Sequence, residues 1–247
     1  MSAQVLYLAM TGLNATMDRI TANTNNLANA NTTAFKAERP VFQSLPLYGQ
    51  GLADRVSVAA SQDTADFAPG AIEKTGRSLD VAVSGKGWIG VQAADGSIGL
   101  TRNGSLSISP SGMLQTSDGR PVLGQGGAPI SLPPMQSVTI GQDGTISGAL
   151  VGQPADQIAA LNRILLTNPP ETTLARRPDG LFTDTKGKPT PDAKVKLEVG
   201  ALETSNADTV GMMMSMLENT RTFQMQTELV HLVLNAQQGQ GTPLSLT

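Results

Sequence analysis

Residues 79–124 read LDVAVSGKGWIGVQAADGSIGLTRNGSLSISPSGMLQTSDGRPVLG, and they decide the fold of the middle of the chain. Asp95-Gly96, Asn103-Gly104 and Asp118-Gly119 are turn dipeptides, and Asp143-Gly144 continues the series. Gly accepts a positive φ, while Asn and Asp come close to it and bond their own backbone. Between the turns lie short apolar or alternating runs: Leu79–Val83, Trp88–Val91, Leu106–Ile108, Val138–Ile140 and Ile164–Thr167. Turn signals recurring about every ten residues between short runs predict an antiparallel sandwich or irregular barrel. Pro133-Pro134 and Pro169-Pro170 mark loops, because proline has no N–H to give a ladder.

Working outward, the composition changes on both sides. Residues 66–203 hold 20 of the 26 glycines and 12 of the 15 prolines, so the turn-rich zone is confined there. Residues 1–35 have no proline and only Asp18 and Arg19 charged. From 204 to 247 there is one proline and half of the ten methionines. In the first zone Leu6, Ala9, Leu13, Thr16, Ile20, Asn23 and Leu27 fall at alternating spacings of three and four, the period of a helical seam. Met213, Met216, Thr220, Phe223, Thr227, Val230 and Leu234 repeat that spacing in the last zone.

These readings give an expected α+β fold. N- and C-terminal α-helices would form a paired, coiled-coil-like module, and a central, mainly antiparallel β domain would follow from the turns. The expected division is 1–36 with 204–247 as the helical assembly module, 37–65 as an extended linker and 66–203 as the β-rich domain. Polar and small members of each seam (Ala9, Thr16, Asn23, Thr220, Thr227) reduce the apolar surface it buries, which leaves each helix marginal alone in water. Two helices packed permanently on a soluble β-domain binding module are the alternative from periodicity.

Composition excludes several function classes. A net charge of -3 and a pI near 5.2 argue against nucleic acid as a partner. Lys186, Lys188, Lys194 and Lys196 alternate with Asp184, Asp192 and Glu198, the pattern of a solvated face. There is no cysteine, hence no disulfide, thiolate metal site or cysteine nucleophile. The one histidine, His231, lies in the helical C-terminal zone, and no dense carboxylate cluster or G-x-S-x-G elbow accompanies it. Asp95, Asp118, Asp143 and Asp179 each precede Gly, so turn chemistry accounts for them. Ser84–Gly87 and Gly124–Gly127 lack the spacing and context of a phosphate loop. No catalytic residue, cofactor, metal or small-molecule substrate is expected, and a hydrolase acting on cell-wall glycan finds no paired carboxylates. No run approaches the ~18 apolar residues of a membrane span. With no Lys or Arg before Arg19 and no continuous apolar stretch at the start, a cleaved secretory leader is not expected either.

Two terminal stretches carry a more specific signal. Asn25-Asn26-Leu27-Ala28-Asn29-Ala30-Asn31-Thr32-Thr33-Ala34-Phe35-Lys36 resembles the N-terminal signature of the flagellar rod and hook protein family, roughly N-x-A-N-x-x-T-x-G-F-K. Leu79–Trp88 resembles that family's LDVAISGxGFF strand pair, Thr101–Gly104 its YTRAG turn, Ser117–Gly124 its ADGxPVLG run, and Asp143–Ile146 its DGTI. Gly200–Asn206 is similar to GALExSN, which precedes the family's terminal helix, and Arg221-Thr222-Phe223-Gln224 fits its R-x-F-x step. The length and the Val5–Gly12 start are most similar to proximal-rod members, with the distal-rod paralogue next. Ala34 stands where the family has glycine; a positive φ there would strain it.

The resemblance implies a structural subunit of the bacterial flagellar basal-body rod, in the periplasm, with its terminal helices lining a tube and the β domain outside. It implies other rod subunits and further copies of the chain as partners, delivered by the flagellar type III export apparatus, with no membrane insertion. The residues expected at the assembly interface are Leu6, Leu13, Ile20, Asn25, Asn26, Leu27, Asn29, Phe35, Met213, Met216, Leu217, Phe223, Val230 and Leu234, the asparagines bonding between subunits.

Overall fold

The computed structural model describes residues 2–46, 56–152 and 158–239. The chain separates into two compact units. The first is made of residues 1–30, 38–66 and 207–247, and the second of 31–37 and 67–206.

The second unit is antiparallel β throughout its strand pairs. Its largest sheet runs in the order Leu166–Thr167, Trp88–Gln92, Ile98–Thr101, Phe182–Asp184, Leu174–Arg176. A three-stranded sheet joins Ala159–Arg163, Thr145–Leu150 and Met135–Ile140. Three two-stranded pairs complete it: Leu106–Ile108 with Leu114–Thr116, Lys196–Val199 with Val81–Ser84, and Ala201–Glu203 with Ile72–Lys74. One aliphatic core, including Val81, Ile89, Leu106, Val122, Ile146 and Ile164, lies between these sheets with almost no exposure. With aromatics so scarce, β-branched and leucine side chains fill it, as a pleated surface favours.

Aspartate-glycine turns behave as their chemistry dictates. Gly96, Gly119, Gly144 and Gly180 all have φ near +80°, between 79° and 83°. The Asp95, Asp143 and Asp179 carboxylates accept the N–H two residues on, from Ser97, Thr145 and Leu181. Gly104 differs: a Cβ there would lie 1.7 Å from the Val81 carbonyl oxygen. It is glycine because another backbone passes against it, not because a hairpin turn needs positive φ.

In the first unit, α1 spans Ser2–Ala28 and α2 spans Thr209–Gly239. Asp208 caps α2, its carboxylate accepting the Val210 N–H at 3.2 Å. At the end of α1 the Asn25 carbonyl accepts both the Asn29 N–H at 3.1 Å and the Asn29 side-chain amide at 2.9 Å. The stretch 37–65, expected to be an extended linker, contains two paired strands, Glu38–Pro46 and Val56–Ala65. Their register shifts between Pro40 and Val41, where the proline removes a ladder donor.

The expected coiled-coil-like helical module is overturned. The chain has one α-helix at each end, and no paired, coiled-coil-like terminal module is evident among the described residues. Hydrogen bonds between the helices are polar: the Thr16 hydroxyl donates to Gln226 Oε1 at 3.0 Å, and Asn23 Nδ2 to Ser215 Oγ at 3.1 Å. On α2 the more buried positions include Met212, Met216, Asn219, Phe223, Gln226 and Val230, while the expected seam members Met213 and Thr220 are exposed. The physical reason is that a period of 3.5 needs large apolar residues at both positions to hold helices in register, and here five of the fourteen expected seam members are small or polar.

Candidate assembly interface

The helix surfaces follow from the 3.6-residue repeat. On α2, Val210, Met213, Met214, Leu217, Met225, Leu229 and Leu232 are all more than half exposed, Met214 at 68% and Leu217 and Leu232 at 65%. Successive residues turn by about 100°. That places the stripe on the side of α2 opposite its more buried face. The helix is therefore apolar on two faces, interrupted on the outer one by Arg221, Gln224 and Glu228. On α1, Tyr7, Met10 and Met17 are exposed at the same kind of spacing. Exposed large apolar side chains gathered on one helix face are candidates for a contact surface, and unbranched methionine adapts to an irregular neighbour.

The expected interface residues divide accordingly. Met213 and Leu217 lie in the outward stripe. Leu13, Ile20, Leu27, Met216, Phe223, Val230 and Leu234 are half-buried. Leu6 is outside the residues whose side chains are described. The asparagines are engaged within the chain. Asn26 is almost fully buried, donates to the Glu38 carbonyl at 2.8 Å and accepts the Glu38 N–H at 2.7 Å. Asn25 Nδ2 donates to the Glu38 carboxylate at 2.7 Å and Asn29 Nδ2 to Asn25 Oδ1 at 2.8 Å. This amide ladder fastens the end of α1 to the first strand.

Phe35 belongs to the second unit, with the Arg176 guanidinium 4.9 Å from its ring centre. The same guanidinium is 5.8 Å from Phe182, which packs on Trp88 at 4.8 Å and Phe67 at 5.5 Å. Beside it, Ala34 donates to the Glu203 carbonyl at 2.8 Å and has φ 57°, the positive value that its place in the signature implied. Asn206 completes the junction: its N–H donates to the Phe35 carbonyl at 3.2 Å and its Oδ1 accepts the Ala37 N–H at 2.7 Å. Sequence reasoning quoted Lys36, Arg102, Glu203 and Asn206 as parts of separate motifs without bringing them together; no local signal links positions so far apart.

Among the described residues no group of three or more histidines and carboxylates could hold a metal, and no helix is long and apolar enough to cross a membrane. His231 is exposed on α2.

Residues 82–148 match the family model for the flagellar hook protein FlgE/F/G D1 domain, and residues 198–232 that for the flagellar basal body rod FlgEFG protein C-terminal region. The flagellar basal-body rod protein FlgF of Salmonella typhimurium is 38% identical over 232 residues, which span 91% of this chain and 92% of that protein. This chain belongs to the flagellar basal-body rod protein family. FlgF of Escherichia coli is equally similar, at 38% over 91% of this chain and 92% of its own length. FlgG of Buchnera aphidicola (Schizaphis graminum) is 28% identical over 92% of this chain and 94% of its own. The rod-family C-terminal match ends within α2 and covers all seven residues of its outward stripe.

Proposed function

We propose that the chain sits in the proximal part of the rod, held by the outward faces of its terminal helices against other rod subunits and further copies of itself. It is a structural subunit of the flagellar basal-body rod, and its role is mechanical rather than catalytic. The observation that carries the reading is the outward stripe of α2. Covering seven large apolar side chains that are more than half exposed would contribute roughly 10 kcal/mol of transfer free energy before ordering costs. Low charge along both helices lets like subunits approach without repulsion, and repeated non-closing contacts build a helical axis. Passage through the flagellar type III export apparatus to the periplasm completes the proposal.

Leu217→Asp, paired with Met214→Asp, tests it. Both side chains are exposed, so the purified chain keeps its helical circular dichroism. A buried carboxylate in the contact costs several kcal/mol, which is a loss of more than about 100-fold in association. The expected result is a folded chain that does not enter purified basal bodies and does not restore motility. Normal incorporation of the double variant would refute the role of this face.

A further inference from the structure

Lys36 and Glu203 carry two signature motifs, and their side chains are 0% and 1% exposed, which is costly for charges unless they are matched. Lys36 Nζ donates to Glu203 Oε1 at 2.7 Å and to the Ala68 carbonyl at 2.7 Å. Glu203 Oε1 also accepts the Gly70 N–H at 2.9 Å, and Oε2 lies 3.1 Å from Arg102 Nε. Arg102, itself almost fully buried, donates to the Val83 carbonyl at 3.3 Å and to the Gly85 carbonyl, with its guanidinium 5.9 Å from the Trp88 ring centre. Burial pushes the Arg102 guanidinium below its ordinary value, and Glu203 opposes that shift.

We propose that Lys36, Arg102 and Glu203 form an internal clasp, with Glu203 as its keystone, that holds segments 34–37, 68–70 and 203–206 of the β unit together. The two motifs then work on one another inside a single chain rather than between subunits. The arithmetic of charge distinguishes the members. One carboxylate serves two cations. Removing Lys36 leaves Glu203 paired with Arg102 and still bonded to Gly70. Removing the Glu203 charge weakens two buried ion pairs at once, since its two carboxylate oxygens face Lys36 and Arg102. Loss at Glu203 therefore disturbs the clasp more than loss at Lys36, although the lysine is the more deeply enclosed of the two cations. The inference does not depend on which partners cover the helices.

Hydrogen exchange on the full-length protein, comparing Glu203→Gln and Lys36→Met with the parent, reads this directly. In Glu203→Gln the amides of Ala34 and Asn206 are expected to exchange at least about 30-fold faster, because they bond across the clasped segments. The amides of Leu123, Ile130 and Leu165, bonded within the core, should stay within about threefold of the parent. Lys36→Met keeps a long apolar side chain and is expected to give a smaller acceleration at the same two amides. Uniform acceleration of core and clasp amides in both variants would make these residues ordinary core and overturn the proposal. So would unchanged exchange in Glu203→Gln, or a larger effect from Lys36→Met than from Glu203→Gln.

Discussion

Replacing Asn26 by alanine separates an internal from an intersubunit role for the asparagine-rich end of α1. The amide is 2% exposed and makes two hydrogen bonds, one to the carbonyl and one to the N–H of Glu38. Alanine removes both bonds and leaves a cavity in place of the amide. A typical hydrogen bond contributes about 0.5–1.5 kcal/mol net, so losing two costs roughly 1–3 kcal/mol, and water entering the cavity holds the value toward the lower end. Asn26→Asp is the internal control. Its carboxylate still accepts the Glu38 N–H but faces the Glu38 carbonyl without a donor, so about half the loss is expected, with a further penalty from the neighbouring Glu38 charge. The assay is urea denaturation of the monomer followed by helical circular dichroism at 222 nm, since both helices lie in the unit that contains Asn26. Trp88 fluorescence follows the other unit separately. A midpoint for Asn26→Ala corresponding to less than about 0.5 kcal/mol of destabilisation, the range of an ordinary surface change, would refute the assignment and return Asn26 to the intersubunit role.

Two further perturbations probe the second unit. Ala34→Gly relieves the left-handed backbone by about 1 kcal/mol and gives up a buried methyl worth about 0.8 kcal/mol, so the thermal midpoint read by Trp88 fluorescence should barely move; Ala34→Val adds a branched side chain at φ 57° and should lower it by about 10 °C. A Val variant as stable as the parent would contradict the observed backbone. The carboxyls of Asp95 and Asp143 are held below their ordinary value of 3.8, chiefly by the hydroxyl and N–H of Ser97 and of Thr145, with Arg177 and Arg163 adding to the effect. A depressed native value means stability that is present above the unfolded value near 4 and lost as pH falls through the folded one. Asp95→Asn should therefore flatten the acid limb of the stability curve below about pH 4, and a carboxyl resonance of Asp95 titrating at the ordinary value would contradict it.

Local chemistry was the legible part of this fold. Asp95, Asp143 and Asp179 sit in turns because each bonds its own backbone, and such a bond is written in adjacent residues. Both helices were visible through their period. The face of α2 was not, because Met213 and Leu217 on the outside and Met212 and Phe223 toward the inside are comparably apolar, and a period cannot choose between two apolar faces. The pairing of strands Glu38–Pro46 and Val56–Ala65 was hidden by Pro40 and Pro46, which argue against a strand; Pro40 is tolerated at a register shift and Pro46 at the strand end. Asn103 bonds its own backbone as expected, its Oδ1 accepting the Ser105 N–H, but Gly104 is there for the approach of Val81, a tertiary contact, and not for a positive φ. Of the residues expected at an interface, Met213 and Leu217 are exposed while others are half buried by the fold itself, because exposure is decided by what packs alongside rather than by residue type.

The bond from Lys36 to Glu203 spans 167 positions of sequence. Contacts of that range close late and slowly, because loop-closure entropy must be met before they give anything back. A chain that emerges with its N-terminus first carries residue 36 for most of its emergence before residue 203 arrives. Until then the β unit lacks one anion and two strands of its boundary, Lys196–Val199 and Ala201–Glu203. Completion of the unit is thus timed by the arrival of its C-terminal edge, and α2, which begins at Thr209, follows only six residues behind that signal.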